Sequence, residues 1–474
     1  MPPADATLTG TIVRNAPLHP VQARVRGWGG GPGARVSLLR PQDTEGVRRA
    51  VEDWRASAGA GWRAGAGGEG GGGVRSGAIA RGMGRSYGDA AQLNDGLVLD
   101  TTRLKGFSLD RAHGTVTAGA GVTLGELLNA LVPEGWMVPV VPGTQHVTVG
   151  GAIASDIHGK NHGVAGTFGS HVETLDLVTA EGEVLDLFPE KELFAATLGG
   201  MGLTGVITRA TVRLSAVSGP WLSVDSDRVR GLDDALAALL ASGGPHRVAW
   251  LDLLGSPAGR GIVTRAEHVD APRPGRPTVR ARATVPRRWP SGVLRPSAVR
   301  AFNELRFRRA PVRQRGHLES IGSHLFPLDG LDAWPRLYGA AGFVQYQLVV
   351  PFAQEGVLHT VIERLRRTRV PCYLAVLKDF GESGDAPLSF PIAGWTLALD
   401  FPRIAPGVDA LLDGFDELVA GAGGRVYLSK DARMGRATLE AMYPRLDEWR
   451  RVRERADPER LWRSDLAQRT GLLG

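Results

Sequence analysis

The side chains here that could move a proton near neutrality stand beside glycine-rich loops. His158 lies in "SDIHGKNHG", with Lys160 and His162 close behind it. Histidine titrates near neutrality and can hold or accept a hydroxyl proton. Alone it would read as structural; inside a loop of small residues it reads as functional. Lys430, in "YLSKDAR", falls between a strand and a helix. A lone lysine there is ordinarily a solvated surface residue. Gln345 and Gln347 stand two apart in "GFVQYQLVVP" and so share one face of a strand. Buried glutamines usually satisfy backbone groups, yet a pair on one face also suits a hydroxyl-bearing ligand. Lys378, in the alternating "YLAVLKDF", points inward if that strand is regular. Trp250 reads as core, with a lid over a pocket as its functional alternative.

Three glycine loops frame these residues. The first, "RGMGRSYGDAAQ" (81–92), has the spacing Gly82-x-Gly84-x-x-x-Gly88. That is not the G-x-G-x-x-G of a Rossmann turn, and the long helix and downstream acid of that fold are missing. A strand followed by glycines still lets backbone N–H groups approach an anion, and Arg81 and Arg85 add charge. In the second loop, "PGTQHVTVGGAIASDIHG" (142–159), Gly150, Gly151, Ala152 and Ala154 leave room for a flat, wide group. The third, "LGGMGLTG" (198–205), repeats the theme. One such loop says little; three in one region imply a large phosphate-containing cofactor.

The elements that must position these loops follow from patterning. With 474 residues, two or three domains are expected. "ARVSLLRP" reads as a strand, with Thr44 capping a helix after it. Further strands are "GAIA", "GLVLD" and "GTVTAGAG". Thr123 and Glu126 form a capping box before "LGELLNALVPEG". "VETLDLVTAEGEVLDL" reads as a hairpin turning at Glu181-Gly182. From about residue 220 the chain changes to longer amphipathic segments. There "GFVQYQLVVP", "YLAVLKDF" and "WTLALDFP" alternate like strands of one sheet. Residues 1–26 read as an irregular arm, and residues 59–73, with nine glycines, as a surface insertion. No apolar run is long enough to span a bilayer, and the N-terminus lacks a signal-peptide pattern. Cys372 is the sole cysteine, which excludes an internal disulfide and a cysteine-based metal site; no metal is expected. A cytoplasmic setting, with the inner membrane surface as an option, is the expectation.

The sequence resembles the vanillyl-alcohol-oxidase (PCMH-type) FAD flavoproteins. Within them it is similar to the decaprenylphosphoryl-β-D-ribose 2-oxidases, flavin subunits of an actinobacterial epimerase. The resemblance runs from about residue 27 to 470, and "GRSYGDAAQ", "DIHGKNH", "QYQ", "APLSFPIAGW" and "YPRLDEW" carry it. It implies an α+β, two-domain fold: an FAD-binding domain (27–218), a substrate or cap domain on an antiparallel sheet (219–424), and a C-terminal segment (425–474) returning to the first.

The resemblance also implies site roles. Arg81, Gly82, Met83, Gly84, Arg85, Ser86 and Tyr87 would wrap the FAD pyrophosphate. Pro142, Gly143, Thr144, Thr148, Gly151, Ala154, Ser155 and Ile157 would line the flavin and ribityl side. Gly205 and Ile207 would reach the adenosine, and Tyr427 would return from the C-terminal segment. Related oxidases often bond flavin through a histidine in the first loop; Arg85 stands there, so non-covalent FAD is expected. His158 and Lys430 would be catalytic. Tyr87, Lys160, Trp250, Gln345, Gln347, Lys378, Thr396 and Ala398 would meet the substrate. Ala398 stands where mycobacterial members carry cysteine, so inhibitors that bond to that thiol lose their target. Thr396 and Met201 stand where asparagines are usual.

The implied reaction oxidises the C2 hydroxyl of a polyprenyl-phosphoryl-β-D-ribose to the 2-keto sugar. A separate NAD(P)H-dependent short-chain reductase would complete epimerisation to the arabinose donor. The alternative is an alditol or aldonolactone oxidase acting on a soluble sugar. A flavin-binding scaffold without turnover is a third reading. The formal charge of +7 is local: residues 271–316 hold thirteen arginines and a single acid, Glu304. Such a stretch reads either as a solvated loop or as a contact for anionic lipid heads. Nucleic-acid binding is set aside, because interleaved aromatics and a known motif are both missing.

Overall fold

In a computed structural model, residues 19–58, 77–241, 243–271, 274–289 and 294–474 are described. The glycine-rich stretch 59–73 and most of the proposed N-terminal arm lie outside them. Within that arm, Val21–Val25 is a strand rather than irregular chain, paired antiparallel with Ala34–Leu39. Leu97–Asp100 and Ala78–Arg81 extend this sheet in parallel. Their apolar runs are buried on both faces, as parallel pairing requires. The helix Thr44–Ala58 begins one residue earlier than patterning suggests, because the Asp43 carboxylate accepts the Gly46 N–H at 2.7 Å. The Thr123–Glu126 capping box forms as expected before Leu124–Leu131.

A second, five-stranded antiparallel sheet carries the hairpin Val172–Val178 and Val184–Leu187 beside Val206–Arg213. The third sheet has eight strands, from Arg313–Ser320 at one edge to Arg425–Val426 at the other. Each of its pairings is antiparallel. Leu374–Phe380, Gly394–Pro402 and Phe343–Pro351 are neighbours in it.

Alternation divides this sheet cleanly. Val344, Tyr346, Leu348 and Val350 join Trp395, Leu397, Leu399 and Phe401 in one core with the helices Gly356–Thr368 and Val408–Gly421. The alternate residues face away from those helices. Register sets them in rows: Gln347 opposite Ala398 and then Val376; Gln345 opposite Asp400 and then Leu374; Val349 opposite Thr396 and then Lys378. Polar groups thus share one face because the other is committed to the core.

The C-terminal segment closes the structure. Arg425–Val426 belongs to the large sheet's edge, and the following helices pack on the first domain. Trp449 Nε1 donates to the Ala196 carbonyl at 2.9 Å. Arg453 and Asp457 are 1% and 0% exposed and paired at 2.7 Å. Asp457 also accepts the backbone N–H groups of Leu461 and Trp462. Asp457→Ala would take the nearest carboxylate from a buried guanidinium and leave two buried amides without their acceptor. We expect it to cost about 3–5 kcal/mol in a urea-unfolding measurement.

Candidate active site

The three glycine loops and the polar face of the large sheet meet around a cavity of about 290 Å³. The first loop follows Ala78–Arg81 directly. Gly84 takes φ +62°, and the space over Gly82 is filled by Thr148, whose hydroxyl would lie 2.3 Å from a Cβ. Thr148 in turn caps Val149–Ala154 by accepting the Gly151 N–H at 3.2 Å. The third loop docks on the second, as the Met201 N–H donates to the Ala154 carbonyl at 2.9 Å. Met201 holds φ 55°, a conformation that asparagine adopts at lower cost.

The first loop also meets the C-terminal segment. Tyr87 N–H donates to the Ser429 carbonyl at 2.9 Å, and the Lys430 ammonium sits 3.6 Å from the Tyr87 ring centroid. The Tyr427 hydroxyl donates to the Ser155 carbonyl at 2.7 Å. Arg85 stacks its guanidinium 3.7 Å from the Trp28 ring centroid, and its buried Nε has no partner among the described residues.

Gly82, Met83, Gly84, Arg85, Ser86, Tyr87, Pro142, Gly143, Thr144 and Thr148 all line the cavity. So do Gly151, Ala154, Ser155, Ile157, Gly205, Ile207 and Tyr427. From the sheet and its surroundings come His158, Gln345, Gln347, Lys378, Ala398 and Lys430. A Cβ on Gly143 would meet no atom of the described residues within 4 Å. The unpartnered Arg85 nitrogen and this open glycine wall fit a wide, anionic cofactor.

Four predicted residues stand elsewhere. Arg81 folds beneath its loop, donating to the carbonyls of Ala91 and Arg26 at 2.9 and 2.8 Å. Lys160 donates to the His324 carbonyl. Trp250 is the cross-strand neighbour of Val376, one strand beyond the cavity wall, and lies under the Arg306 guanidinium at 4.9 Å. Thr396 is fully buried behind Gln347, its hydroxyl donating to the Leu348 carbonyl at 2.8 Å. Arg81, Lys160 and Thr396 each donate to a backbone carbonyl, Arg306 lies over the Trp250 ring, and none of the four lines the cavity.

His158 has a different setting from the one its sequence context suggests. Gln347 Nε2 donates to His158 Nε2 at 2.9 Å and to the Thr396 hydroxyl at 3.2 Å. The imidazole is boxed by Phe380, Phe390 and Tyr427, with ring centroids 4.8, 5.5 and 5.1 Å away. Burial, reinforced by Lys378, His162 and Lys430, holds its pKa well below the ordinary histidine value. The ring is therefore neutral at neutral pH, and its Nε2 is already engaged.

Lys430 is better tuned. Burial pulls it down to about 7, with Asp400 opposing and Lys378 assisting the fall. Asp400 is pushed up by burial to about 7 while accepting from Gln345 Nε2 at 2.5 Å. Lys378 is lowered by burial to about 8. Reading the motifs alone misses Asp400. The signal was present: it shares the parity of Ala398 in "WTLALDFP", so the same alternation that places Ala398 also turns Asp400 to the polar face.

This is the site of a vanillyl-alcohol-oxidase-type FAD-dependent oxidoreductase. A family model described as an FAD binding domain matches residues 77–187, and one described as D-arabinono-1,4-lactone oxidase matches residues 401–470. The moss Physcomitrella patens BBE-like 1 structure superposes with a TM-score of 0.65 at 16% identity, over 91% of this chain and 90% of that one. The chain is also 39% identical to the decaprenylphosphoryl-β-D-ribose oxidase of Mycolicibacterium smegmatis, over 95% of its own length and 98% of the relative's. It therefore belongs to the decaprenylphosphoryl-β-D-ribose oxidase family. An uncharacterised Streptomyces coelicolor protein is 40% identical over 74% of this chain and all of that one.

Proposed function

We infer that the protein oxidises the C2 hydroxyl of a polyprenyl-phosphoryl-β-D-ribose to the 2-keto sugar. Residues 27–218 would bind FAD, 219–424 would cap the substrate, and 425–474 would return Lys430 to the site. The observation that carries this reading is the convergence of Lys430, Lys378, Gln345 and Gln347 on the glycine-loop cavity. Similarity along nearly the whole chain to an oxidase of that substrate supports the sugar's identity.

When bound, FAD supplies the acceptor for the hydride leaving the carbinol carbon. The chain must do the rest. Lys430 Nζ, near half-unprotonated at neutrality, takes the hydroxyl proton. Asp400 beside it steadies the ammonium that results. Lys378 stays cationic below about pH 8 and holds substrate oxygens, while Gln345 and Gln347 orient hydroxyls from one strand face. His158 acts as a positioning residue, fixing the Gln347 amide. Arg85 offers no nucleophile to the cofactor, in line with dissociable FAD.

A separate NAD(P)H-dependent reductase would reduce the 2-keto product, and the oxidation would take place at the inner membrane surface. The testing experiment is anaerobic: farnesyl-phosphoryl ribose is added to the yellow protein and the flavin absorbance followed. Bleaching is expected; a protein that bleaches only with free alditols or aldonolactones would replace the lipid-linked substrate with a soluble one.

The pH dependence follows from the two lysines. Lys430 acts unprotonated, so kcat/KM should rise through about pH 7. Lys378 acts protonated, so kcat/KM should fall above about pH 8. Lys378→Met should abolish the falling limb and raise KM roughly tenfold or more, as read from steady-state kinetics across pH.

A further inference from the structure

The helix Pro296–Arg309 buries Val299 and Asn303 but leaves two large apolar side chains on its exposed face. Its inner face is held by polar contacts: Asn303 Nδ2 donates to Asp252 Oδ1 at 2.9 Å, and Arg260 Nη2 donates to Glu304 Oε2 at 2.5 Å. The guanidinium groups of Arg228 and Arg260 lie 5.1 and 4.6 Å from the Phe307 ring centroid. Its outer face carries Phe302 and Leu305, 62% and 48% exposed, with exposed Ala298 alongside. Arg308 and Arg309 flank that stripe, and Val312, 65% exposed, continues it beyond the helix next to Arg313. A helix facing only water would turn Phe302 and Leu305 inward and Asn303 and Glu304 outward.

The helix also lies on the functional side of the large sheet. Arg306 stacks over Trp250, the cross-strand neighbour of the cavity-lining Val376. The Tyr373 hydroxyl donates to the Leu294 carbonyl at 3.3 Å, tying the preceding turn to the strand that carries Leu374 and Lys378. Among the described residues, no helix is long and apolar enough to cross a membrane. Apolar side chains rimmed by arginines instead match the interface of a bilayer, where rings and aliphatic chains enter the acyl boundary and guanidinium groups meet phosphates.

We propose that Pro296–Arg309 is an interfacial helix that seats the cavity-bearing side of the large sheet on an anionic lipid bilayer, through Phe302, Leu305 and Val312 with Arg308, Arg309 and Arg313 around them. This rests on the lipid-linked substrate proposed above: a membrane-held prenyl chain then delivers its sugar head without leaving the bilayer. The arginines select anionic headgroups, and the apolar stripe sets the depth.

The test is flotation of the FAD-loaded protein with phosphatidylglycerol-rich vesicles and with pure phosphatidylcholine vesicles. The unmodified protein should float with the first and much less with the second. Phe302→Ser combined with Leu305→Ser should weaken binding roughly tenfold or more, and Arg309→Ala should weaken it by a smaller factor that vanishes at high salt. Detergent-dispersed farnesyl-phosphoryl ribose should be turned over equally by all three proteins, which shows that the variants fold. Unmodified protein that stays at the bottom of the gradient, or a double variant that floats as well as it does, would overturn the proposal. So would a dimer in the absence of lipid that the double variant splits, because the face would then be a protein interface. Failure of the unmodified protein to oxidise the dispersed substrate would sink the activity reading alone and leave the flotation result standing.

Discussion

Lys430→Met should lower kcat/KM by about a thousandfold while the purified protein stays yellow. Methionine preserves the length and packing of the side chain and removes its nitrogen. The nitrogen matters because of where burial has set it: a lysine at about 7 offers an unprotonated amine at neutral pH, which an exposed lysine does not. Its place comes from backbone contacts, with Tyr87 N–H on the Ser429 carbonyl and Lys430 N–H on the Tyr427 carbonyl at 2.9 Å each. Lys430→Arg separates two roles. Arginine keeps a cation over the Tyr87 ring but cannot give up its proton near neutrality. If Lys430 is the base, the arginine variant should be as slow as the methionine one and should lose the rising limb near pH 7. Activity restored by arginine would reduce Lys430 to a fixed charge and return the proton to another group.

Gly88→Val should strip the protein of most of its FAD and lower the activity of what remains by about a hundredfold. A Cβ at Gly88 would lie 1.9 Å from the Asp431 carbonyl oxygen and 3.0 Å from the Ala432 Cα. Both are backbone atoms, so no rotamer change relieves the clash. The two segments are clamped besides: Arg469 donates to Asp89 at 2.7 Å and pairs with Asp431 at 2.9 Å. Valine must therefore push the first loop away from the segment that carries Lys430, disturbing cofactor and base together. The ratio of flavin to protein absorbance after gel filtration reads the first effect, and turnover with added FAD reads the second. Gly143→Ala is the contrast, since its Cβ meets no atom of the described residues within 4 Å. Any loss of FAD there, in a normally folded protein, reports on the cofactor's own space.

Much of the site was legible before any fold was known. Glycine loops announced a cofactor because close approach to an anion needs positions without side chains. Alternation put Gln345 with Gln347, and Lys378 on the inward face, because strand side chains alternate with a period of two. The misreadings share one cause. Arg81, Lys160 and Thr396 lie in the right motifs, but each finds a protein acceptor first, in the carbonyls of Ala91, His324 and Leu348. His158 does line the cavity, with Gln347, 189 residues away, on its Nε2 and no partner for its Nδ1 among the described residues. No local pattern reveals a partner so distant.

The sequence by itself determined many of the elements, the three glycine loops, the family and the faces of three central strands. These depend on short-range geometry: backbone freedom at glycine, side-chain alternation, and helix capping by Thr123 and Glu126. Tertiary structure decided which polar groups are free and which are spent. It brought Tyr87, Asp400 and Lys430 together from three distant segments, Asp400 buried and the other two half-buried on the cavity wall. Burial and neighbouring charge, not residue type, then moved both the lysine and the aspartate to about 7. A side chain's proton affinity depends on the medium and the charges around it, and only the folded chain supplies them.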